Sequence, residues 1–131
     1  MVLGFKVKFP WGEPTNFKEK ILARTKIHTI RKRGRWRAGL QLHMANGVRT
    51  IFYNQFNAGR RDLSTCTGTQ DLEIIYKGPR IRVFIDRKEI TYMELLQLAH
   101  NDGFDSTADF KRWFNTTQTD LQIIHWTGFR Y

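Results

Sequence analysis

Cysteine is nearly absent from this chain of 131 residues, which contains only Cys66. A single cysteine cannot form an internal disulfide, and a cysteine-based zinc site would lack its other ligands. Long apolar runs are also missing, since no stretch approaches the roughly 18–20 apolar residues that a membrane span requires. Residues 1–10 alternate in character and carry two lysines, so we expect no signal peptide. These absences exclude a disulfide scaffold and predict a cytoplasmic protein with no membrane partner.

Acidic residues are scarce, because 12 Asp and Glu stand against 22 Lys and Arg, which gives a net charge of +10. The excess is concentrated between Lys18 and Arg37, where nine cations accompany one acid, Glu19. Such a concentration is typical of surfaces that neutralise phosphates and release counterions. An anionic membrane fits less well, because the basic stretch contains no clear lipid-facing helix. The charge therefore predicts a nucleic-acid partner, with RNA favoured and DNA left open.

The length of the chain supports one hydrophobic core, so we expect residues 1–131 to form a single domain. Alternating and β-branched stretches predict strands at residues 3–9, 27–31, 40–44, 50–56, 64–76, 81–85 and 121–126. Helical spacing predicts helices at residues 17–24 and after residues 91 and 106. This order lacks regular βαβ alternation. It predicts an α+β fold, in the form of a small barrel with short flanking helices.

Turn and capping signals mark several element ends. Residues 14–16 supply helix-start chemistry before the first helix, and residues 91–94 form a capping-box pattern before the second. Ser106 repeats the capping pattern before the third helix. Gly103 is placed to end the second helix, and Asn46-Gly47 predicts a tight hairpin. Most element boundaries thus follow from local chemistry.

Two separated motifs carry a family resemblance. Lys26-Ile27-His28-Thr29-Ile30-Arg31 resembles the Lys-x-x-Thr-x-Arg signature of the ASCH family, which belongs to the PUA-like β-barrels. The second match is Leu98-Ala99-His100-Asn101-Asp102-Gly103-Phe104, followed by Ser106, Asp109-Phe110 and Trp113-Phe114. Residues 124–126 are similar to the closing strand of such proteins. Together these matches cover most of the chain, and the resemblance implies a small PUA-like barrel.

The resemblance also implies a chemistry. Some ASCH relatives are small amidohydrolases that remove the acetyl group of N4-acetylcytidine, using a threonine nucleophile, a lysine base, an assisting arginine and a glutamate. The resemblance places those roles on Thr29, Lys26, Arg31 and Asp102. A threonine hydroxyl needs a nearby base, and lysine can act as one when burial or neighbouring cations lower its pKa. The expected reaction uses no metal and no cofactor.

Two departures from the family pattern favour binding over efficient hydrolysis. Asp102 is one methylene shorter than the family glutamate, and a carboxylate displaced by about an ångström can cost on the order of a hundredfold in rate. Residues 23–25 read Ala-Arg-Thr where the family often has a glycine. The sequence therefore predicts, first, a domain that binds RNA or a modified nucleoside. The alternative is a metal-independent amidohydrolase.

The face carrying residues 24–37 is the predicted nucleic-acid surface. Its candidate contacts are Arg24, His28, Arg31, Lys32, Arg33, Arg35, Trp36 and Arg37. Trp36 stands between cations, which suits base stacking, although it equally suits a tryptophan that covers a barrel end. The four histidines are scattered, so they predict neither a metal site nor the His–His pair of a ribonuclease. The residues leave the oligomeric state open.

Overall fold

The computed structural model describes residues 1–131 and contains eight strands and three helices. The strands are β1 (Val2–Phe5), β2 (His28–Lys32), β3 (His43–Asn46), β4 (Asn54–Gln55), β5 (Gly68–Lys77), β6 (Arg80–Ile85), β7 (Lys88–Glu89) and β8 (Gln118–His125). The helices are α1 (Phe17–Leu22), α2 (Tyr92–Asn101) and α3 (Thr107–Trp113), and a 3-10 turn covers Arg61–Leu63. The predicted α+β class is confirmed. None of these helices combines the length and apolar character needed to cross a bilayer.

The strands form two sheets that share no strand. The smaller has the order β1-β3-β4, with β1 parallel to β3, and the larger is antiparallel with the order β2-β8-β5-β6-β7. The predicted closure into one barrel is not observed, because β1 and β2 are both edge strands and have no ladder between them. The Gly4 carbonyl of β1 instead accepts a hydrogen bond from the Arg31 guanidinium of β2. A core of 24 buried apolar side chains supports both sheets.

The helix starts show the predicted capping chemistry. Thr91 and Glu94 exchange both bonds of a capping box, and Ser106 accepts from the backbone N–H of Asp109. Before α1, the Thr15 hydroxyl accepts from the Phe17 backbone N–H at 3.3 Å, whereas Asn16 makes no side-chain capping bond and adopts a left-handed conformation. Gly103 follows Asp102, the C-cap of α2, with a positive φ of 94°.

The segment between β3 and β4 differs from the predicted tight hairpin. The strand expected at residues 50–56 is reduced to β4, and residues 47–53 form an exposed loop. This loop is closed by Thr50, whose backbone N–H and hydroxyl both donate to the Gly47 carbonyl. Gly47 takes a φ of 64°, as expected for a turn glycine. The Asn-Gly signal thus marks the turn correctly, but local bonds to Thr50 prevent a two-residue hairpin.

Candidate functional site

A cavity of about 160 Å³ lies in the gap between edge strands β1 and β2, which we call the seam cavity. Gly4, Phe5 and Lys6 line one side, and Thr29, Ile30 and Arg31 line the other. The remaining wall consists of Phe17, Lys26, Asp102, Phe104, Trp113 and Phe114. The structure therefore brings all four predicted catalytic residues, Lys26, Thr29, Arg31 and Asp102, to one cavity. The cavity exists because the two sheets do not close into one barrel.

Arg31 bridges the two edge strands. Its Nη2 donates to the Gly4 carbonyl at 2.6 Å, and its guanidinium lies 5.3 Å from the centre of the Phe5 ring. Burial lowers the pKa of Arg31, and the negative charge of Asp102 opposes that shift. The arginine remains a cation, since a guanidinium does not lose its proton in proteins. It therefore holds the gap between the sheets and places a positive charge in the cavity wall.

Lys26 is buried, and its ammonium nitrogen is held by the C-terminal end of α2. Nζ donates to the carbonyls of Asp102 at 2.5 Å and His28 at 2.9 Å, and it lies 3.5 Å from Asp102 Oδ1. The carbonyls at a helix C-terminus lack partners within the helix, so a cation there satisfies them and the helix dipole together. The Phe17 ring covers the other side of the nitrogen, with its centre 4.7 Å away.

The protonation of Lys26 is shifted by this environment. Burial lowers its pKa from 10.5 to about 8, against the attraction of Asp102, while the positive charges of Arg31 and Lys20 lower it further. A lysine with this pKa is neutral in an appreciable fraction of molecules near neutral pH. Such a lysine can accept a proton, as a general base must.

Gly103 links the two motifs physically. A Cβ added at this position would lie 2.8 Å from Lys26 Cδ and 3.0 Å from Phe17 Cδ1. Both distances are too short for ordinary contacts, so a larger residue would displace the lysine stem. The glycine of the second motif thus creates the space in which the lysine of the first motif is buried.

Asp102 belongs to a buried polar chain. Its Oδ1 lies 3.1 Å from His28 Nδ1, and His28 Nε2 lies 2.5 Å from the Tyr131 hydroxyl, which also accepts from Asn101. Burial lowers the pKa of His28, so the ring is neutral and carries one proton. A carboxylate only accepts, which puts that proton on Nδ1 and makes Tyr131 the donor to Nε2. His28 thereby fixes the orientation of the Asp102 carboxylate.

The prediction that His28 contacts nucleic acid is wrong, because its side chain has an exposed fraction of 0%. His125 packs against it with the ring centres 5.3 Å apart. Burial lowers the pKa of His125 to about 3, and the positive charge of Arg130 acts in the same direction. Its Nε2 donates to Gln70, while its Nδ1 has no partner. Neither histidine lines the seam cavity, so the His28–His125 pair lies outside the cavity wall.

Two polar atoms face the seam cavity without a partner in the chain. The Thr29 hydroxyl makes no internal hydrogen bond, and it is not among the enclosed polar atoms without partners, so it is open to the cavity. Asp102 Oδ2 also has no partner in the chain and is open to the cavity, because the carboxylate contacts His28 and Lys26 through Oδ1. A hydroxyl and a carboxylate oxygen therefore border the cavity, and five of its twelve lining residues are aromatic: Phe5, Phe17, Phe104, Trp113 and Phe114.

The predicted nucleic-acid residues are distributed over two faces. Lys32, Arg35 and Arg37 are exposed and have no acidic partner. Arg33 Nη2 lies 3.3 Å from Asp71. Arg24 forms an ion pair with Asp62 and lines a different groove. The position of the cavity therefore does not support the prediction that Arg24 belongs to the same nucleic-acid surface as the other cations.

Trp36 is half-buried and packs against the core. Its indole lies close to Gly34, where an added Cβ would be 3.9 Å from the ring. Only the outer part of the ring is available for stacking. This packing favours the interpretation in which the tryptophan covers one end of the core.

Four of the twelve residues that line the cavity, Gly4, Phe5, Lys6 and Phe17, lie outside the two motifs. Gly4 and Phe5 carried no signal beyond strand alternation. Tyr131, which completes the polar chain through His28, also carried none. Only the two motifs pointed to this cavity.

No group of three or more His, Cys, Asp and Glu side chains is placed to hold a metal ion. Cys66 is buried, and burial raises the pKa of its thiol. The chain matches no known family model, and it matches neither a curated protein nor a solved structure. The resemblance to the ASCH family therefore rests on the residues of the two motifs.

Proposed function

We propose that this chain binds RNA or a modified nucleoside and holds one base in the seam cavity. The observation that carries the proposal is the combination of aromatic walls with two free polar atoms, on Thr29 and Asp102. A nucleobase has a flat apolar face and a polar edge, and proteins hold unstacked bases by stacking and by hydrogen bonds to that edge. The cavity offers both kinds of contact.

The size of the cavity limits what enters it. Its volume of about 160 Å³ is below the roughly 300–1,000 Å³ of pockets that enclose drug-sized ligands. A base fits this limit, whereas the attached sugar and phosphate remain outside. Lys6 is exposed at the rim, and Lys32, which follows Arg31 of the cavity wall in β2, is also exposed. A ligand that extends from the cavity as a phosphate ester would therefore meet positive charge.

The proposal includes membership of this chain in the ASCH family. The lysine and threonine of the first motif and the aspartate and glycine of the second meet at one cavity, as the family resemblance requires of a shared site. We interpret the two sheets as an opened PUA-like barrel, with the opening between β1 and β2. Arg31, the last residue of the first motif, spans that opening.

Thr29→Val tests whether the base occupies the cavity. The substitution keeps the shape of the side chain and removes a hydroxyl that has no partner in the chain, so folding stability should hold. Affinity for N4-acetylcytidine, measured by calorimetric titration, should fall roughly 2- to 10-fold through the lost hydrogen bond. Thr67→Val is the control, because its hydroxyl donates to Thr127 outside the cavity. Equal affinity of both variants and the parent would count against a base at Thr29.

Salt dependence tests the phosphate contacts. Replacing Lys32, Arg35 and Arg37 together by alanine should reduce the slope of log affinity for single-stranded RNA against log salt by about 2, since each phosphate contact contributes about 0.7. The matched control replaces Lys77, Arg80 and Arg87, which are exposed near the opposite edge of the larger sheet. Both variants lose three charges. An identical slope in the two would place the RNA elsewhere.

Amidohydrolase activity is the second candidate function. The observation that favours it is the buried Lys26, whose pKa is lowered to about 8 and which lines the same cavity as the Thr29 hydroxyl. The hydrolysis of N4-acetylcytidine-type amides is therefore the reaction to test.

A further inference from the structure

We infer that the ligand of the seam cavity is a single-stranded polynucleotide, and that the nucleotide next to the bound base lies in an adjoining groove and stacks on the aromatic loop Ile51–Tyr53. This inference rests on the proposed function, because it assumes that a base occupies the seam cavity. It adds the class of ligand and a second contact surface. Neither motif of the sequence lies in that surface.

The adjoining groove shares three lining residues with the seam cavity. It has a volume of about 410 Å³ and is lined by residues 4–8 together with Gly47 and Val48. Gly4, Phe5 and Lys6 line both spaces, so a chain that leaves the cavity can enter the groove directly. The two volumes together accommodate more than one nucleoside-sized group.

The aromatic loop follows Gly47 and Val48 of the groove lining, and its apolar side chains are in solvent. Ile51 is 94% exposed and Phe52 is 77% exposed. The loop is nevertheless held in place. A Cβ at Gly47 would lie 2.5 Å from the Phe52 carbonyl oxygen, and the Thr50 hydroxyl accepts from the Phe52 backbone N–H. A loop whose backbone is already ordered loses less conformational entropy on binding than a flexible one.

The charge of the groove identifies the kind of ligand. Lys6 and Lys8 are exposed on its β1 side and have no acidic partner. A basic groove bordered by exposed aromatic side chains is the usual combination for single strands, where cations follow the phosphates and rings stack with the bases. A free nucleoside has neither a phosphate nor a second base. It would leave both the lysines and the loop without a function.

The test compares two probes, cytidine and a single-stranded cytidine hexamer, on three proteins. The hexamer should bind the parent chain more tightly than cytidine does. Phe52→Ser should weaken hexamer binding roughly 5- to 150-fold and leave cytidine binding unchanged, because only the neighbouring base stacks on the loop. Tyr92→Ser is the matched control, since Tyr92 is an aromatic residue with 62% exposure on α2, outside both spaces, and should change neither affinity.

The outcomes separate this inference from the proposed function. Equal binding of cytidine and the hexamer by the parent chain would overturn the polynucleotide assignment and leave the nucleoside site standing. Loss of hexamer binding to the same extent in Phe52→Ser and Tyr92→Ser would overturn the role of the loop. Failure of the parent chain to bind either probe at low salt would remove the proposed function, and the inference with it.

Discussion

Raising the pH from 7 to 10.5 should stabilise the folded chain by about 3 kcal/mol relative to a Lys26→Met variant. Burial lowers the pKa of Lys26 from 10.5 to about 8. Between these two values the unfolded chain keeps the proton and the folded chain has lost it. The unfolded state then binds more protons, so the free energy of unfolding rises with pH. A difference of 2.5 pKa units at 1.36 kcal/mol per unit gives the magnitude.

The measurement is urea denaturation of both proteins at several pH values. Other lysines and tyrosines also titrate in this range, and they do so in both proteins, so the difference between the two curves isolates Lys26. Methionine preserves the length of the stem between Phe17 and Gly103. Lys77→Met, at an exposed lysine, should follow the parent curve. Parallel curves for the parent and Lys26→Met would mean that Lys26 is not desolvated in the folded state.

Local chemistry explains why the helix ends were predictable. The capping box at Thr91 and Glu94 and the glycine after α2 depend on neighbours within a few residues, which the sequence displays directly. Barrel closure depends instead on contacts between distant residues. The Arg31 guanidinium contacts β1 at the Gly4 carbonyl where a strand ladder would close the barrel, and the sequences of β1 and β2 do not predict this contact.

The candidate site was predictable only through the motifs, and the error at His28 has a simple cause. Side chains alternate between the faces of a strand, so Thr29 and Arg31 share a face that His28 cannot share. The motif placed these residues together in sequence, whereas the strand separates them in space. The His28 side chain instead contacts the Asp102 carboxylate from the side away from the cavity and holds it in place.

The aromatic loop is a case in which strand propensity predicts the wrong structure. Residues 50–56 are rich in residues that favour strands, and they were predicted as one. In the structure Ile51 and Phe52 are exposed because Thr50 closes the loop on Gly47 before pairing begins. Strand propensity describes side chains that pack against a pleated surface. Residues 51–53 have no such surface to pack against. We therefore attribute their exposed aromatic side chains to ligand binding.

Thr29→Ala should abolish the release of acetate from N4-acetylcytidine if the chain is an amidohydrolase. In that reaction the Thr29 oxygen bonds to the acetyl carbon while Lys26 takes the hydroxyl proton. The bond from that carbon to N4 then breaks, N4 receives the proton, and cytidine leaves an acetylated threonine. Water hydrolyses this ester and restores the hydroxyl. Deletion of the attacking oxygen should reduce turnover by roughly a thousandfold or more.

Lys26→Arg should fail as well, because a guanidinium keeps the charge but does not give up its proton to act as a base. Turnover by the parent chain should rise with pH and level off above about 8, as the lowered pKa of Lys26 requires, since only the neutral amine accepts the hydroxyl proton. Thr29→Ser keeps a hydroxyl at the same position and is the control for correct folding. It should retain turnover that Thr29→Ala lacks.

Asp102→Glu separates the enzyme from the binding domain. The longer side chain restores the glutamate of the ASCH proteins that the motifs resemble, and Asp102 lines the seam cavity. Under the amidohydrolase hypothesis the variant should keep or raise the rate of acetate release, whereas under the binding hypothesis it should release none. If both the parent chain and Asp102→Glu release no acetate while N4-acetylcytidine still binds, the neutral form of Lys26 serves recognition. The free Thr29 hydroxyl then acts as a hydrogen-bond partner of the base and never as a nucleophile.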